Sequence, residues 1–191
     1  MFFMVYYITI MGKRILIINP FGIGDVLFST PLIVVLKHNY PGSYIGYICN
    51  KRTRNILETN PYVNEVFVFD RGDYRELWRK SKLKCINKFF DFWKKISREK
   101  FNTVIDLSLG KEYAFLCWLI GIRERIGFNY KGRGKFLTNR VPFDGFNDKP
   151  VAEYYLDLLQ FKGHSGKDAC ALTLCPTDED KKFINDFLKS K

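Results

Sequence analysis

The residues best placed to do chemistry lie in Gly22-Ile-Gly-Asp-Val-Leu27, just behind the apolar, β-branched run Ile15-Leu-Ile-Ile18. A carboxylate beside a pair of glycines can take a proton from a hydroxyl if it stays ionised and the backbone lets a substrate approach. Asp25 meets both conditions in outline. Val26, Leu27, Leu32, Ile33, Val35 and Leu36 recur at helical spacing up to Asn39-Tyr-Pro41, which puts Asp25 where a helix begins. The positive end of a helix favours the ionised carboxylate, as a base requires. The plainer role for such a residue is an N-cap, accepting a backbone N–H. Both roles are open at this point.

Strand, glycine turn and helix in that order form the ligand-facing corner of a doubly wound α/β domain, whose ligands bind beyond the carboxyl ends of the strands. A dinucleotide site needs a third glycine and an acid after the second strand. Here Leu27 takes the place of that glycine, and the strand Ser43–Cys49 ends at Asn50-Lys51-Arg52. NAD and FAD are disfavoured. The lysine of a phosphate-binding P-loop is missing too, which disfavours ATP held by that motif.

Further elements must position this corner. A short helix is expected over about 53–59, stopped by Asn60-Pro61, and a third strand over Glu65–Asp70. Between Tyr74 and Lys100 the residues Ile86, Phe89, Phe90, Trp93 and Ile96 recur at helical spacing, with Lys84, Lys88, Lys94, Lys95 and Arg98 around them. This reads as an amphipathic crossover helix whose basic edge suits an anionic membrane. Phe101–Leu107 is a fourth strand, Glu112–Ile120 a helix stopped at Gly121, and Arg125–Phe128 a short strand. A basic, glycine-rich loop is expected from Asn129 to about Asn147, a length that is usually functional. A helix over Pro150–Leu159, a short strand near Ala171–Leu174 and a helix from Thr177, opened by Asp178, Glu179 and Asp180, complete the chain. The alternation predicts a mainly parallel sheet.

Gly22–Leu27, followed by Ser29-Thr-Pro-Leu32 and Tyr40-Pro41, resembles the opening of glycosyltransferase family 9, which includes the ADP-heptose:lipopolysaccharide heptosyltransferases. Arg125-Ile-Gly-Phe128 and Asp106 at a strand end resemble further segments of that family. The resemblance runs from Arg14 onward and implies the Rossmann-like first half of a GT-B architecture. It implies inverting transfer of a sugar from a nucleotide sugar such as ADP-heptose to a lipopolysaccharide core acceptor. Asp25 would be the base on the acceptor hydroxyl. Around it Asn19, Gly22 and Gly24, with Gly24 letting the backbone approach closely, are the candidate acceptor-binding residues; the basic Lys111, Arg133 and Lys135 either pair with carboxylates or phosphates of the acceptor or are solvated surface charges. No cofactor and no metal is implied. The family's second domain binds the donor, and its pattern does not occur here, so the chain alone is expected to be inactive. The domain boundaries follow: 1–11 an extension or a misassigned start, 12–175 the acceptor-binding domain, 176–191 a helix leading toward the second domain.

Composition bounds the alternatives. The 191 residues are 47% hydrophobic and 17% aromatic, enough for one domain with its own core and against global disorder. A formal charge of +11 calls for an anionic partner. The expected partners are an anionic glycolipid acceptor, a nucleotide-sugar donor where a second domain is supplied, and a peripheral contact with the inner membrane face. Nucleic acid ranks last, for no RNA-binding motif accompanies the charge. Five cysteines without a C-x-x-C pair, and His38 and His164 without partners at ligand spacing, argue against zinc and for a reduced, cytoplasmic chain. The first ten residues are apolar but too few to span a bilayer. The competing reading is a non-enzymatic binding module for an anionic glycolipid or nucleic acid.

Overall fold

A computed structural model describes residues 12–160 and 171–189, so that the expectations for residues 1–11 and for His164 and Cys170 lie outside the described residues. In chain order the elements are β1 (Arg14–Ile18), α1 (Ile23–Phe28), α2 (Thr30–Asn39), β2 (Tyr44–Cys49), a 3₁₀ turn (Lys51–Thr53), α3 (Arg54–Glu58), β3 (Glu65–Val68), α4 (Arg71–Lys80), α5 (Lys82–Arg98), β4 (Thr103–Asp106), α6 (Glu112–Leu119), β5 (Glu124–Tyr130), β6 (Asn139–Phe143), α7 (Val151–Asp157) and α8 (Asp178–Lys189).

The six strands form one sheet in the order β3-β2-β1-β4-β5-β6, with all five pairings parallel. The order reverses between β1 and β4, as in a doubly wound sheet. The period of two along β1 divides its side chains. Ile15 and Ile17 join a core with Val26, Leu32, Leu36 and Tyr155 beneath α1, α2 and α7. Leu16 and Ile18 join a second core with Trp93, Ile96, Tyr113 and Cys117 beneath α5 and α6. The helices therefore cover both faces, which is why β1 reads as an unbroken apolar run from Ile15 to Ile18. Glycines keep two close approaches open. A Cβ on Gly46 would meet the Phe101 ring at 2.4 Å, and one on Gly127 would meet the Asp106 carbonyl oxygen at 2.8 Å.

The structure departs from the sequence reading in four places. The first helix is two, broken at Ser29. Pro31 has no N–H to give Leu27, so the Thr30 hydroxyl donates to the Leu27 carbonyl instead at 2.8 Å, and the Ser29 hydroxyl to Val26 at 2.7 Å. The long basic helix is likewise two. Ser81 is extended and caps α5 through Lys84 N–H. The 129–147 loop contains β6, which the sequence hides because Pro142 sits within it; β6 is an edge strand, where a missing donor is tolerated. Residues 171–177 form no strand. In α8, Thr177 and Asp180 form the expected acidic start: Asp180 accepts the Thr177 N–H at 2.9 Å and its own N–H donates to the Thr177 hydroxyl at 3.1 Å.

Candidate acceptor site at the β1–β4 crevice

The crevice lies where two connections leave the carboxyl ends of neighbouring strands for opposite faces. Its first wall is the β1–α1 loop. Asn19 is fully buried and holds that loop from within: its N–H extends the ladder to Ile48, its Oδ1 accepts the Phe21 N–H at 3.2 Å, and its Nδ2 donates to the Asp25 carbonyl at 3.0 Å. Asn50, at the end of β2, donates to the Phe21 carbonyl from the other side and caps the 3₁₀ turn.

α1 begins earlier than the apolar spacing implies, so Asp25 is the third residue of the helix rather than its cap. Its Oδ2 accepts the Gly22 N–H at 3.1 Å, the acidic half of a capping box. The carboxylate is half-buried and keeps acceptor capacity toward solvent. Neither Gly22 nor Gly24 is required by the fold. Both lie outside the positive-φ region, and an added Cβ would meet nothing nearer than 3.6 Å. Beneath this corner Tyr155 is fully buried, and its hydroxyl has no hydrogen-bond partner among the described residues. Burial, then the charge of Asp25, push its pKa up. The Ser29 hydroxyl and Tyr47 hydroxyl, 2.6 Å apart, complete the support.

The second wall follows β4. Asp106 is buried, with Oδ1 accepting the Ser108 N–H at 2.9 Å and Oδ2 without a hydrogen-bond partner among the described residues. Burial lifts its pKa to about 6 against the pull of the Ser108 hydrogen bonds, and the nearby Glu112 charge adds to the rise. Leu109 is left-handed with φ of 57°, which turns the chain into Gly110 and Lys111. Tyr113 lies close by, its hydroxyl buried and without a hydrogen-bond partner among the described residues, with the Arg71 guanidinium 5.9 Å from its ring.

The candidate residues fall into two groups and one outlier. Asn19, Gly22, Gly24 and Asp25 make the first wall. Lys111 and Lys135 meet across a cleft of about 440 Å³ lined also by Glu112, Phe115, Leu116 and Phe136. Arg133 stands apart, 5.9 Å from the Tyr130 ring. The cleft exists because the β5–β6 loop folds back on α6: the Arg125 guanidinium donates to the carbonyls of Phe136 (2.6 Å), Ile122 (2.5 Å) and Arg123 (3.0 Å), and Phe136 packs on Phe115 at 5.0 Å. Sequence reasoning missed Asn50, Ser108 and Tyr113. An asparagine directly after β2 was the available signal for the first, and nothing local marks the other two. Among the described residues no three His, Cys, Asp or Glu side chains converge as metal ligands.

This crevice, on a sheet of this order, defines a Rossmann-like, doubly wound α/β domain. The sequence is 30% identical over 141 residues to lipopolysaccharide heptosyltransferase 3 of Escherichia coli, covering 71% of this chain and 39% of that protein. Among solved structures it is similar to a glycosyl transferase family 9 protein of Veillonella parvula DSM 2008, with a TM-score of 0.72 and 22% identity over 93% of this chain and 49% of that one. It is also similar to the E. coli heptosyltransferase WaaC with ADP-2-deoxy-2-fluoro heptose, with a TM-score of 0.68 and 17% identity over 91% of this chain and 54% of that one. No protein-family profile matches. The resemblance to glycosyltransferase family 9 thus holds in sequence and in fold, and the chain spans 39% of the curated relative and about half of the solved structures.

Proposed function

We propose that this chain is the acceptor-binding half of a family 9 glycosyltransferase, which transfers a sugar from a nucleotide sugar such as ADP-heptose to a lipopolysaccharide core acceptor. The observation that carries this reading is the half-exposed Asp25 carboxylate, held by Gly22 at the carboxyl edge of β1 beside glycines the fold does not need. The bare Gly22–Gly24 edge leaves room for an acceptor sugar, and Asp25 takes the proton of its attacking hydroxyl as the glycosidic bond forms. Lys111, Lys135 and Arg133 pair with carboxylates or phosphates of the acceptor. Asn19 acts by fixing the loop.

Transfer also needs a donor site and a group to stabilise the departing diphosphate, and alignment of both substrates supplies several orders of magnitude in rate. In this reading those come from a second domain beyond α8, and the protein works in the cytoplasm at the inner membrane face. The chain alone is expected not to transfer sugar. The test is transfer from ADP-heptose to a lipid A–Kdo acceptor, with the chain alone and with a donor domain supplied by fusion or by a second polypeptide. Turnover by the chain alone, or full turnover by an Asp25→Asn protein with the donor domain present, refutes the assignment.

A further inference from the structure

One layer of the molecule is apolar on its outside as well as its inside. On α5, successive residues are about 100° apart; Phe89, Trp93 and Ile96 point at the sheet, and Cys85 turns to α4, its Sγ donating to the Tyr74 carbonyl at 3.4 Å. A helix that only covers a sheet ends its apolar arc there. In α5 the arc runs on for about another 80° through Ile86, Phe90 and Leu83 before the basic stripe begins. Leu83 is 69% and Phe90 65% exposed. Trp78 of α4, 48% exposed, closes a groove of about 330 Å³ over Ile86 and Phe90. α6 belongs to the same layer, since Tyr113 and Cys117 share a core with Trp93 and Ile96, and it leaves Trp118 (51%) and Leu119 (63%) in solvent. On the opposite layer α2 and α7 have no large apolar side chain exposed, and α1 exposes Ile23 and, to a lesser degree, Phe28.

The charge around this surface is one-sided. Residues 71–98 carry ten Lys and Arg against three acids. Among the described residues Arg75, Arg79, Lys82, Lys84 and Lys94 are in no ion pair. A polyanion in solution, whether nucleic acid or polysaccharide, would use the cations and leave the apolar stripe idle. A bilayer interface uses both, because anionic headgroups lie directly above an apolar phase.

We infer that the outer surface of the α4–α5 pair docks on an anionic phospholipid bilayer, with Trp78, Leu83 and Phe90 entering the headgroup boundary and Arg75, Arg79 and Lys82 meeting phosphates. The inference takes its purpose from the glycolipid reading above. α4 starts at the carboxyl end of β3, and Arg71 at its first turn reaches Tyr113 in the crevice wall. A bilayer seated on this layer therefore reaches the edge where the crevice opens.

The test is co-sedimentation of the chain with vesicles of phosphatidylcholine alone or mixed with phosphatidylglycerol, at low and high salt, with tryptophan emission read in parallel. Binding to the mixed vesicles that salt weakens, with a blue shift, is expected. Leu83→Ser with Phe90→Ser, both at exposed positions, should weaken it by about tenfold or more. Arg75→Gln with Arg79→Gln should weaken it and flatten its salt dependence. Vesicle binding unaffected by the Leu83/Phe90 pair overturns the inference, and so does binding to heparin that matches the vesicles. Self-association in lipid-free buffer that the same pair abolishes also overturns it, by making the face a contact between copies. No step of this assay involves Asp25 or sugar transfer, so its failure leaves the acceptor-site reading standing, and the converse holds.

Discussion

Among the described residues, Asp106 is the one buried carboxyl whose environment works against its charge, and replacing it by Asn removes that carboxyl. The folded protein lifts this group from an ordinary 3.8 to about 6, with burial the leading cause. At about 1.4 kcal/mol for each tenfold change, that gap corresponds to about 3 kcal/mol. The sign follows from proton binding. Between the two values the folded state holds the proton more tightly than the unfolded chain does, so stability falls as pH rises. The contribution is complete below the unfolded value and lost once pH passes about 6. Asn keeps the acceptor for Ser108 N–H but cannot titrate. Urea unfolding of both proteins, followed by the emission of buried Trp93, gives their stability difference at each pH. That difference should change by about 2.4 kcal/mol between about pH 4 and pH 7, moving against the wild type. A flat difference, or one that moves the other way, would show that the Asp106 carboxyl is satisfied in the folded protein and that the argument from burial is wrong.

Three other outcomes are expected. Gly127→Ala places a Cβ 2.8 Å from the Asp106 carbonyl oxygen, so thermal unfolding should show a loss of about 2 kcal/mol or more; an unchanged Tm would mean that β4 and β5 part at no cost. Asp25→Asn still accepts from Gly22 N–H, so stability by urea unfolding should fall by no more than about 1 kcal/mol. In the assembled transferase the same change should lower kcat by about a hundredfold or more, and near-normal turnover would reduce Asp25 to a helix-start residue. Arg125→Leu releases the carbonyls of Ile122, Arg123 and Phe136, so amide exchange at Leu137 and Thr138 should accelerate while that of Ile17 and Ile105 does not; unchanged exchange at Leu137 would show that packing of Phe136 alone holds the loop.

The strands of the core were legible because burial on both faces writes a continuous apolar run, as in Ile15–Ile18 and Val104–Ile105. The corner was legible because glycines and an acid break that run at one point. What was hidden depended on partners far off in sequence. Asn-Arg-Val-Pro-Phe has no strand signature, and it pairs only because β5 lends it an edge. The breaks at Ser29 and Ser81 sit inside helical periodicity that continues across them, for a kinked pair of helices buries the same stripe as a straight one. Asp106 was visible as a residue at a strand end, but its burial and its free oxygen come from α6 folding over it. Asp25 was placed correctly at a helix start, and its place within the first turn needed the Gly22 hydrogen bond to be seen.

The junction of β1 with β4 also sets the order in which this protein can become functional. β1 pairs with β2 across about thirty residues, but Ile15 meets Thr103 only after β2, β3, α4 and α5 have intervened. Closing so long a loop is the slow, entropically costly part of folding a sheet of this kind. The crevice has one wall on each side of that pairing. A chain emerging from the ribosome can therefore form the Asp25 corner early and still have no site, until β4 arrives and the two walls come together in a single late step.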